Sequence, residues 1–238
     1  MNKTYQATAF RQHISGRFNH EIESVRSQVL AMGGLVEQQL SYAIASIKEN
    51  NISLAQKVVD SDSTVNDMEL SIDESCARII ARRQPTARDL RLIISIIKII
   101  TDLERIGDVA SSVAKMVLNG HRFAEQSYAI SLEPLTMQAI AMLHKTLDAF
   151  ARMNVESAAT VHQLDEQLDN QCNELTKELI ERMKESSDDI PQILNVMWSA
   201  RAMTRVGDRC QNICEYIVYF VTGKDIRHKG ESGFKEVD

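Results

Sequence analysis

Leu103–Asp108 (LERIGD) lies inside a long apolar segment, and a related stretch follows at an offset of 100 residues, Met203–Asp208 (MTRVGD). Both copies keep the pattern Arg-x-Gly-Asp, but threonine replaces glutamate in the second. In the first copy two acidic residues stand four positions apart, the spacing that places side chains on one face of a helix. The two stretches therefore indicate a duplicated helical fold and a charged helix face in its first half.

The composition favours an all-α protein. Only nine glycines and three prolines occur among 238 residues, whereas a β-sheet protein needs more of both at its turns. Leu90–Ile100 is rich in isoleucine and would suit a strand on propensity alone. The apolar residues continue at helical steps as far as Val117, which is much too long for a strand. We therefore predict a buried helix there.

Charge and hydropathy exclude several classes of protein. A net charge of −6 argues against a nucleic-acid binder, which normally carries a basic face. Leu90–Ile100 holds two basic residues and is shorter than the ~20 apolar residues that a membrane span needs. The N-terminus lacks the apolar core of a signal peptide. We expect a cytoplasmic protein whose four cysteines are reduced: Cys76, Cys172, Cys210 and Cys214.

Apolar spacing and capping residues predict six helices. The first three cover 14–48, 53–83 with Ser53 as N-cap, and 86–118 with a capping box at Thr86–Asp89. The fourth starts at Ser131 or Pro134 and ends near 153, and the fifth ends near 185. The sixth has Pro191 in its first turn and ends at 222–223. Gly33-Gly34, inside the first helix, indicates either close helix packing or a kink.

The two halves of the chain align with each other. Residues 51–62 match 154–165 at an offset of 103, and residues 89–108 match 189–208 at an offset of 100. We predict two tandemly repeated antiparallel three-helix bundles, at 9–122 and 127–224, with a boundary at 121–127. Residues 1–8 and 225–238 are expected to be flexible tails.

Acidic residues form stripes on two neighbouring helices of the first half. Asp62, Asn66, Glu69 and Asp73 follow steps of four, three and four on the second helix, and Glu104 and Asp108 repeat the four-residue step on the third. Facing carboxylates repel each other, and a bound cation would remove that cost. Oxygen ligands suit Mg, Mn or Fe, with Zn also possible.

One alternative to a metal site remains at this point: the acidic residues simply cover the solvated faces of the helices. A redox di-iron centre is disfavoured, because it needs Glu-x-x-His, and Ile72 and Gly107 stand three positions after the two glutamates. Arg105 and Arg205 are interpreted as partners of nearby acidic residues rather than as phosphate ligands.

The second half keeps only part of the acidic pattern. Asp165, Asp169 and Asp208 remain, whereas Cys172, Thr176 and Thr204 replace the other acidic positions. We expect a weaker, degenerate second site, or one that takes a softer metal through Cys172. Cys210 and Cys214 are one turn apart on a helix and are interpreted as buried packing rather than a disulfide.

Several motifs together resemble the PhoU family. They are Arg83–Ala87 (RQPTA), Asp89–Arg91, Leu103–Asp108, the repeated Arg-x-Gly-Asp and Cys210–Glu215 (CQNICE). The resemblance extends from about residue 11 to 228, and it implies two repeated three-helix bundles in a cytoplasmic homodimer. It also implies regulation of phosphate uptake, through an adaptor role between the ATPase subunit of the phosphate ABC transporter and the PhoR histidine kinase. Such a protein keeps the phosphate regulon off when phosphate is plentiful.

The resemblance also implies metal binding through acid-x-x-x-Asp motifs, which here match Glu69/Asp73 and Glu104/Asp108. Thr204 departs from the family pattern, so the two bundles are expected to differ in their affinity for metal. We expect no nucleic-acid partner, and membrane contact only through the transporter. The competing hypothesis is a metal-dependent hydrolase or phosphatase that uses the acidic cluster.

Overall fold

The computed structural model describes residues 3–120, 126–227 and 233–234. Six helices make up the fold: α1 Lys3–Glu49, α2 Ile52–Arg83, α3 Ala87–Leu118, α4 Gln126–Arg152, α5 Val155–Glu185 and α6 Ile190–Thr222. The described residues contain no strand, so the all-α prediction is confirmed. The isoleucine-rich stretch is helical, and Ile93, Ile96 and Ile100 are buried in the core.

The helices form two tandem bundles of three, as predicted. Neighbours in each bundle run antiparallel, since the first and last parts of α1 and α2 meet in pairs such as Glu21 with Arg83 and Gln39 with Ser61. The bundles pack with α1 against α4 and α3 against α6, while α2 and α5 lie on the flanks. A layer with the order α2, α3, α6, α5 therefore carries both acidic stripes.

Matched caps mark the start of the second helix in each bundle. The side chain of Asn51 accepts a hydrogen bond from the backbone N–H of Leu54 at 3.1 Å, and Asn154 does the same for Ser157 at 3.0 Å. These interactions stabilise a helix N-terminus by satisfying an otherwise unpaired N–H group. The prediction of Ser53 as the N-cap is wrong by two residues, because the asparagine side chain takes that role.

Two other predicted helix starts also require correction. Thr86 precedes α3 but its side chain makes no capping hydrogen bond, so the predicted capping box is absent. Helix α4 begins at Gln126 rather than at Ser131, and Pro134 lies inside it. A proline inside a helix removes one backbone hydrogen bond. Burial of Leu132 and Leu135 on either side supplies packing that offsets this loss.

Parts of both predicted tails belong to the folded structure. Helix α1 starts at Lys3, so the tail prediction is wrong for residues 3–8, where no proline or glycine interrupts the helix. At the other end Ile226 is buried, and the ring of Phe234 stacks on His162 with 5.4 Å between centroids. These two apolar side chains gain burial by packing on the second bundle, which the polar composition of 225–238 concealed. The predicted boundary at 121–127 falls largely on residues 121–125, outside the described residues, and the domain limits remain a prediction.

Close packing explains the glycine pair in α1. A Cβ atom at Gly33 would overlap the side chain of Leu147 on α4, whereas one at Gly34 would meet nothing within 4 Å. Helix α1 continues without interruption through both residues. Of the two alternatives, close packing is therefore correct for Gly33. No helix among the described residues is long and apolar enough to cross a membrane.

Candidate functional site

Four carboxylates of the first stripe influence one another between α2 and α3. Burial raises the pKa of Glu104 most, and the charges of Asp108, Glu69 and Asp62 raise it further. Only Arg105 opposes these effects. Such an effect on Glu104 requires the other three carboxylates to be near it, because screening by solvent weakens the interaction of distant surface charges. The structure therefore brings these four predicted side chains into one region of the surface.

Asp62 and Glu69 of the stripe have neighbours on α3. The pKa of Asp62 is raised by burial and by Asp108, while Lys115 and a hydrogen bond with Ser111 lower it. Glu69 is held by Thr101, whose hydroxyl donates to Oε1 at 3.0 Å. Each carboxylate therefore keeps oxygen lone pairs available on a partly solvated surface.

Asn66 and Asp73 complete the predicted stripe on α2, but they differ in their surroundings. Asn66 is half-buried and Asp73 is exposed. Asp73 acts electrostatically on Cys76, whose pKa rises to about 12 mainly because the thiol is buried. Asp73 thus lies toward the end of the stripe, one turn beyond Glu69.

Gly107 determines how closely α3 approaches its neighbours beside the stripe. A Cβ at this position would stand 3.1 Å from Oε1 of Gln39 on α1 and 3.5 Å from Val65 on α2. Ile106 is buried next to it, while Asp108 remains exposed. The sequence Glu-Arg-Ile-Gly-Asp therefore buries one side of α3 and presents carboxylates on the other.

The donor set suits a hard cation, but the side chains are not arranged as a finished site. Carboxylate oxygens at half-buried positions are the ligands that Mg, Mn and Fe prefer. Among the described residues, no three His, Cys, Asp or Glu side chains converge as a metal ion requires. The stripe would therefore have to change side-chain rotamers in order to hold one.

One carboxylate of the second acidic cluster, Asp165, is more deeply buried than any in the first, whereas Asp169 and Asp208 are exposed. Asp165 is 8% exposed, and burial together with Asp208, Asp169 and Glu166 raises its pKa to about 7. The pKa of Asp208 is raised by burial and Asp169 and lowered by Arg209 and Arg205. The three predicted aspartates are thus brought together, with a proton bound to Asp165 for part of the time near neutral pH.

Gly207 fits this cluster more tightly than Gly107 fits its own surroundings. A Cβ on Gly207 would overlap a carboxylate oxygen of Asp165 and would stand 2.9 Å from Leu168. Glycine is therefore needed for α6 to pack on α5 at this level. The shared Arg-x-Gly-Asp pattern marks a close helix crossing in both bundles.

Substituted positions in the second bundle remove acidic charge. Cys172 is buried, and its pKa is raised mainly by burial and lowered by Arg201 and by a hydrogen bond with Thr176. Thr204 is 6% exposed, and its hydroxyl donates to the carbonyl of Arg201 at 3.1 Å. Arg201 occupies the position of Thr101 in the first bundle and brings a positive charge close to the cluster.

The remaining predicted residues have structural surroundings. Cys210 and Cys214 are free and fully buried, and burial raises the pKa of the Cys214 thiol to about 12. Arg105 pairs with Asp102, with 3.8 Å between Nη1 and Oδ1. This supports the interpretation of Arg105 as a partner of a nearby acidic residue.

Sequence reasoning missed the role of Asp102. Its carboxylate is almost completely buried between the bundles and accepts a hydrogen bond from Arg209 of α6 at 3.3 Å. Burial raises the pKa of Asp102, while Arg209, Asn212 and Arg105 lower it. The position of Asp102 on the apolar side of α3 could have predicted a buried ion pair, because acidic residues are rarely buried unless they are paired.

Comparisons with known proteins identify relatives along most of the chain. The PhoU domain family matches residues 29–117 and 134–217. The phosphate-specific transport system accessory protein PhoU of Serratia marcescens is 48% identical over 226 residues, covering 95% of this chain and 93% of that protein. The protein of the same name from Escherichia coli is 48% identical over 219 residues, covering 92% of this chain and 91% of that protein.

Solved structures agree with these sequence relatives. The crystal structure of PhoU from Pseudomonas aeruginosa superposes with a TM-score of 0.81 at 42% identity, covering 87% of this chain and all of that one, 100%. The phosphate transport system regulatory protein PhoU from Streptococcus pneumoniae gives a TM-score of 0.80 at 31% identity, covering 87% of this chain and 98% of that chain. Similarity therefore extends across both bundles in sequence and in fold.

Proposed function

The chain belongs to the PhoU family, and we propose that it regulates phosphate uptake as an adaptor between the phosphate-specific ABC transporter and the PhoR histidine kinase. One observation carries this proposal: 48% identity to a phosphate-specific transport system accessory protein across 95% of the chain. The family match includes residues of both bundles, at 29–117 and 134–217. In this role the protein represses the phosphate regulon when phosphate is abundant.

The proposed adaptor acts in the cytoplasm as a homodimer and contacts the ATPase subunit of the transporter. Its net charge of −6 disfavours direct attachment to an anionic membrane, where basic residues are the attractive groups. A protein partner would therefore hold it at the membrane. Two bundles with different acidic surfaces give the adaptor two chemically distinct faces for transporter and kinase.

We propose that the first stripe binds a divalent or trivalent cation: Fe, Mn, Mg or Zn. Glu69, Asp73, Glu104 and Asp108 would hold it, with Asp62 and Asn66 as further oxygen donors. The support is the raised pKa of Glu104 and of Asp62, to which neighbouring carboxylates contribute and which a positive ion would relieve. The ion supplies positive charge that links α2 to α3, and it has no catalytic role in this proposal.

The second bundle is proposed as the weaker site, with Asp165, Asp169 and Asp208 as its ligands. Cys172 and Thr204 supply no carboxylate where the first bundle has Glu69 and Glu104. Fewer carboxylates lower the attraction for a hard cation.

A reporter assay tests the regulatory proposal. A phosphate-starvation promoter is fused to a reporter in a bacterium whose own PhoU-family gene has been deleted, and cells are grown in abundant phosphate. We expect high reporter activity in the deletion strain and low activity when this chain is supplied. An unchanged reporter in both strains would count heavily against the assignment.

A phosphatase assay separates the adaptor from the competing hydrolase. The purified protein is incubated with a chromogenic phosphate ester and Mn²⁺, beside Asp108→Ala. The adaptor proposal expects no turnover by either protein. Turnover by the wild type that disappears in Asp108→Ala would favour the hydrolase.

A further inference from the structure

A groove between α1 and α2 lies apart from both acidic stripes. Its volume is about 340 Å³, which is within the range of small-molecule sites. His20 and Gln28 line it from α1, and Arg78 and Arg82 line it from α2. The stripe, by contrast, lies between α2 and α3.

The groove has more cationic than anionic groups available to a ligand. Arg83 binds both carboxylate oxygens of Glu21, with Nε at 2.9 Å and Nη2 at 2.7 Å, so the charge of Glu21 is already neutralised. This pairing lowers the pKa of Glu21. Among the described side chains Arg82 makes no ion pair. Two guanidinium groups one turn apart therefore face the groove, on a chain whose net charge is −6.

Arg78 is available to a ligand although it contacts Glu74. The contact of 2.9 Å joins side chains that are 50% and 75% exposed. Ion pairs between exposed residues one helical turn apart contribute little to stability. A dianionic ligand group would compete successfully for Arg78.

The floor of the groove offers apolar surface and an unused hydrogen-bond acceptor. Val25 and Ile79 are buried beneath it. Oε1 of Gln28 is buried and accepts no hydrogen bond, which is a costly state for a polar atom. A ligand that carries an N–H or O–H group next to an apolar part would satisfy this oxygen once the Gln28 side chain turns toward the groove.

We propose that the groove binds a small organic phosphate of about nucleotide size. Planar guanidinium groups recognise phosphate oxygens through paired hydrogen bonds, and Arg78 and Arg82 supply two of them. His20 donates a further hydrogen bond from its ring. The apolar floor and Gln28 contact the organic part, which inorganic phosphate lacks.

The second bundle provides an internal comparison. At the offset of 103 that aligns α5 with α2, Glu181 replaces Arg78 and Glu185 replaces Arg82. Glu181 is paired with Lys184 at 2.6 Å, and the equivalent surface has no guanidinium group at either of these positions. The proposed ligand binds one bundle only, and its site depends on neither the acidic stripe nor the adaptor role.

Isothermal titration of the full chain with AMP tests the proposal, and glucose 6-phosphate serves as a second probe. We expect binding with a Kd in the range of about 10 μM to 1 mM and none for adenosine or glucose. Arg82→Gln should weaken binding about tenfold to a hundredfold, the usual cost of losing a charged hydrogen bond. Arg152→Gln, which removes the same charge from an exposed arginine paired with Asp148 in α4, should bind like the wild type.

Three results would overturn the proposal. They are no heat with either probe up to about 5 mM, equal affinity of Arg82→Gln and wild type, and competition by inorganic phosphate as strong as that by AMP. Circular dichroism of Arg82→Gln, an exposed position, establishes that a loss of binding is not a loss of fold.

Discussion

The two acidic clusters lie on equivalent helices, yet they accommodate negative charge in different ways. In the first bundle four carboxylates share a partly solvated surface between α2 and α3, where Glu104 is half-buried. In the second, Asp165 is 8% exposed and its pKa rises to about 7. The first cluster is thus suited to a cation from solution, whereas the second reduces its charge by binding a proton.

Few substitutions separate these two states. Glu69, Glu104 and Thr101 of the first bundle correspond to Cys172, Thr204 and Arg201 of the second. Two changes remove a carboxylate, and the third adds an exposed arginine whose charge acts on Cys172. The duplicated fold thus keeps its close helix crossings in both bundles, while the side chains beside those crossings have diverged. Three predictions test this difference.

The largest difference in the free energy of unfolding is expected between alanine substitutions of the two equivalent glycines. Gly207→Ala should lower the free energy of unfolding by about 2 kcal/mol, because the new methyl group overlaps Asp165 and approaches Leu168 to 2.9 Å. Gly107→Ala should change it by less than about 0.5 kcal/mol, since the gain in helix propensity offsets the contact with Gln39. Urea unfolding measures both, and equal losses would contradict the tighter crossing in the second bundle.

The second prediction concerns pH. Because the pKa of Asp165 rises from an ordinary 3.8 to about 7 on folding, its contribution to stability is complete below pH 3.8 and is lost as pH rises through 7. The amide of Asp165→Asn cannot ionise, so this variant should not lose stability in this way as the pH rises. At pH 8 the variant should be more stable than the wild type by about 1–2 kcal/mol.

Urea unfolding between pH 5 and 8, in the presence of a chelator, measures the effect. Glu215, whose burial raises its pKa to about 7, leaves a residual slope in both proteins. Glu174→Gln is the matched control, because Glu174 is an exposed residue of α5 outside the acidic cluster and should behave like the wild type. An unchanged pH slope in Asp165→Asn would show that Asp165 is ionised throughout.

The smallest change in the free energy of unfolding is expected for a substitution in the first stripe. Glu104→Gln removes charge where the second bundle has Thr204, so it should relieve repulsion with Asp108, Glu69 and Asp62. Without metal at pH 8 the free energy of unfolding should rise by about 0.5 kcal/mol. Asp67→Asn, an exposed change on α2 outside the stripe, should have no effect, and a loss of stability in Glu104→Gln would contradict mutual repulsion.

Much of the fold could be predicted from the sequence because local signals agreed with it. Apolar steps located the helices, and Asn119-Gly120 and Gly223 marked helix ends that the structure contains. Helix starts were less certain because several polar residues compete for one cap, and Asn51 rather than Ser53 provides it. The position of Pro134 inside α4 depends on tertiary burial, which local propensity does not encode.

The candidate site could be predicted only as far as residues share a helix face. Regular spacing placed Glu69, Glu104 and Asp108 on adjoining faces, and the structure brings them together. Burial depth depends on packing between helices, so spacing along the chain does not reveal that Asp165 has the most strongly raised pKa of these clusters. The same limit concealed Asp102, whose partner Arg209 lies in the other bundle.

Cation binding by the two bundles tests the central comparison most directly. Mn²⁺ is titrated into the metal-free wild type, into Glu104→Ala/Asp108→Ala and into Asp169→Ala/Asp208→Ala. We predict that the first double variant loses at least about tenfold in affinity for the tightest site, while the second keeps wild-type affinity there. Equal, negligible binding by all three proteins, or a loss confined to Asp169→Ala/Asp208→Ala, would contradict this account.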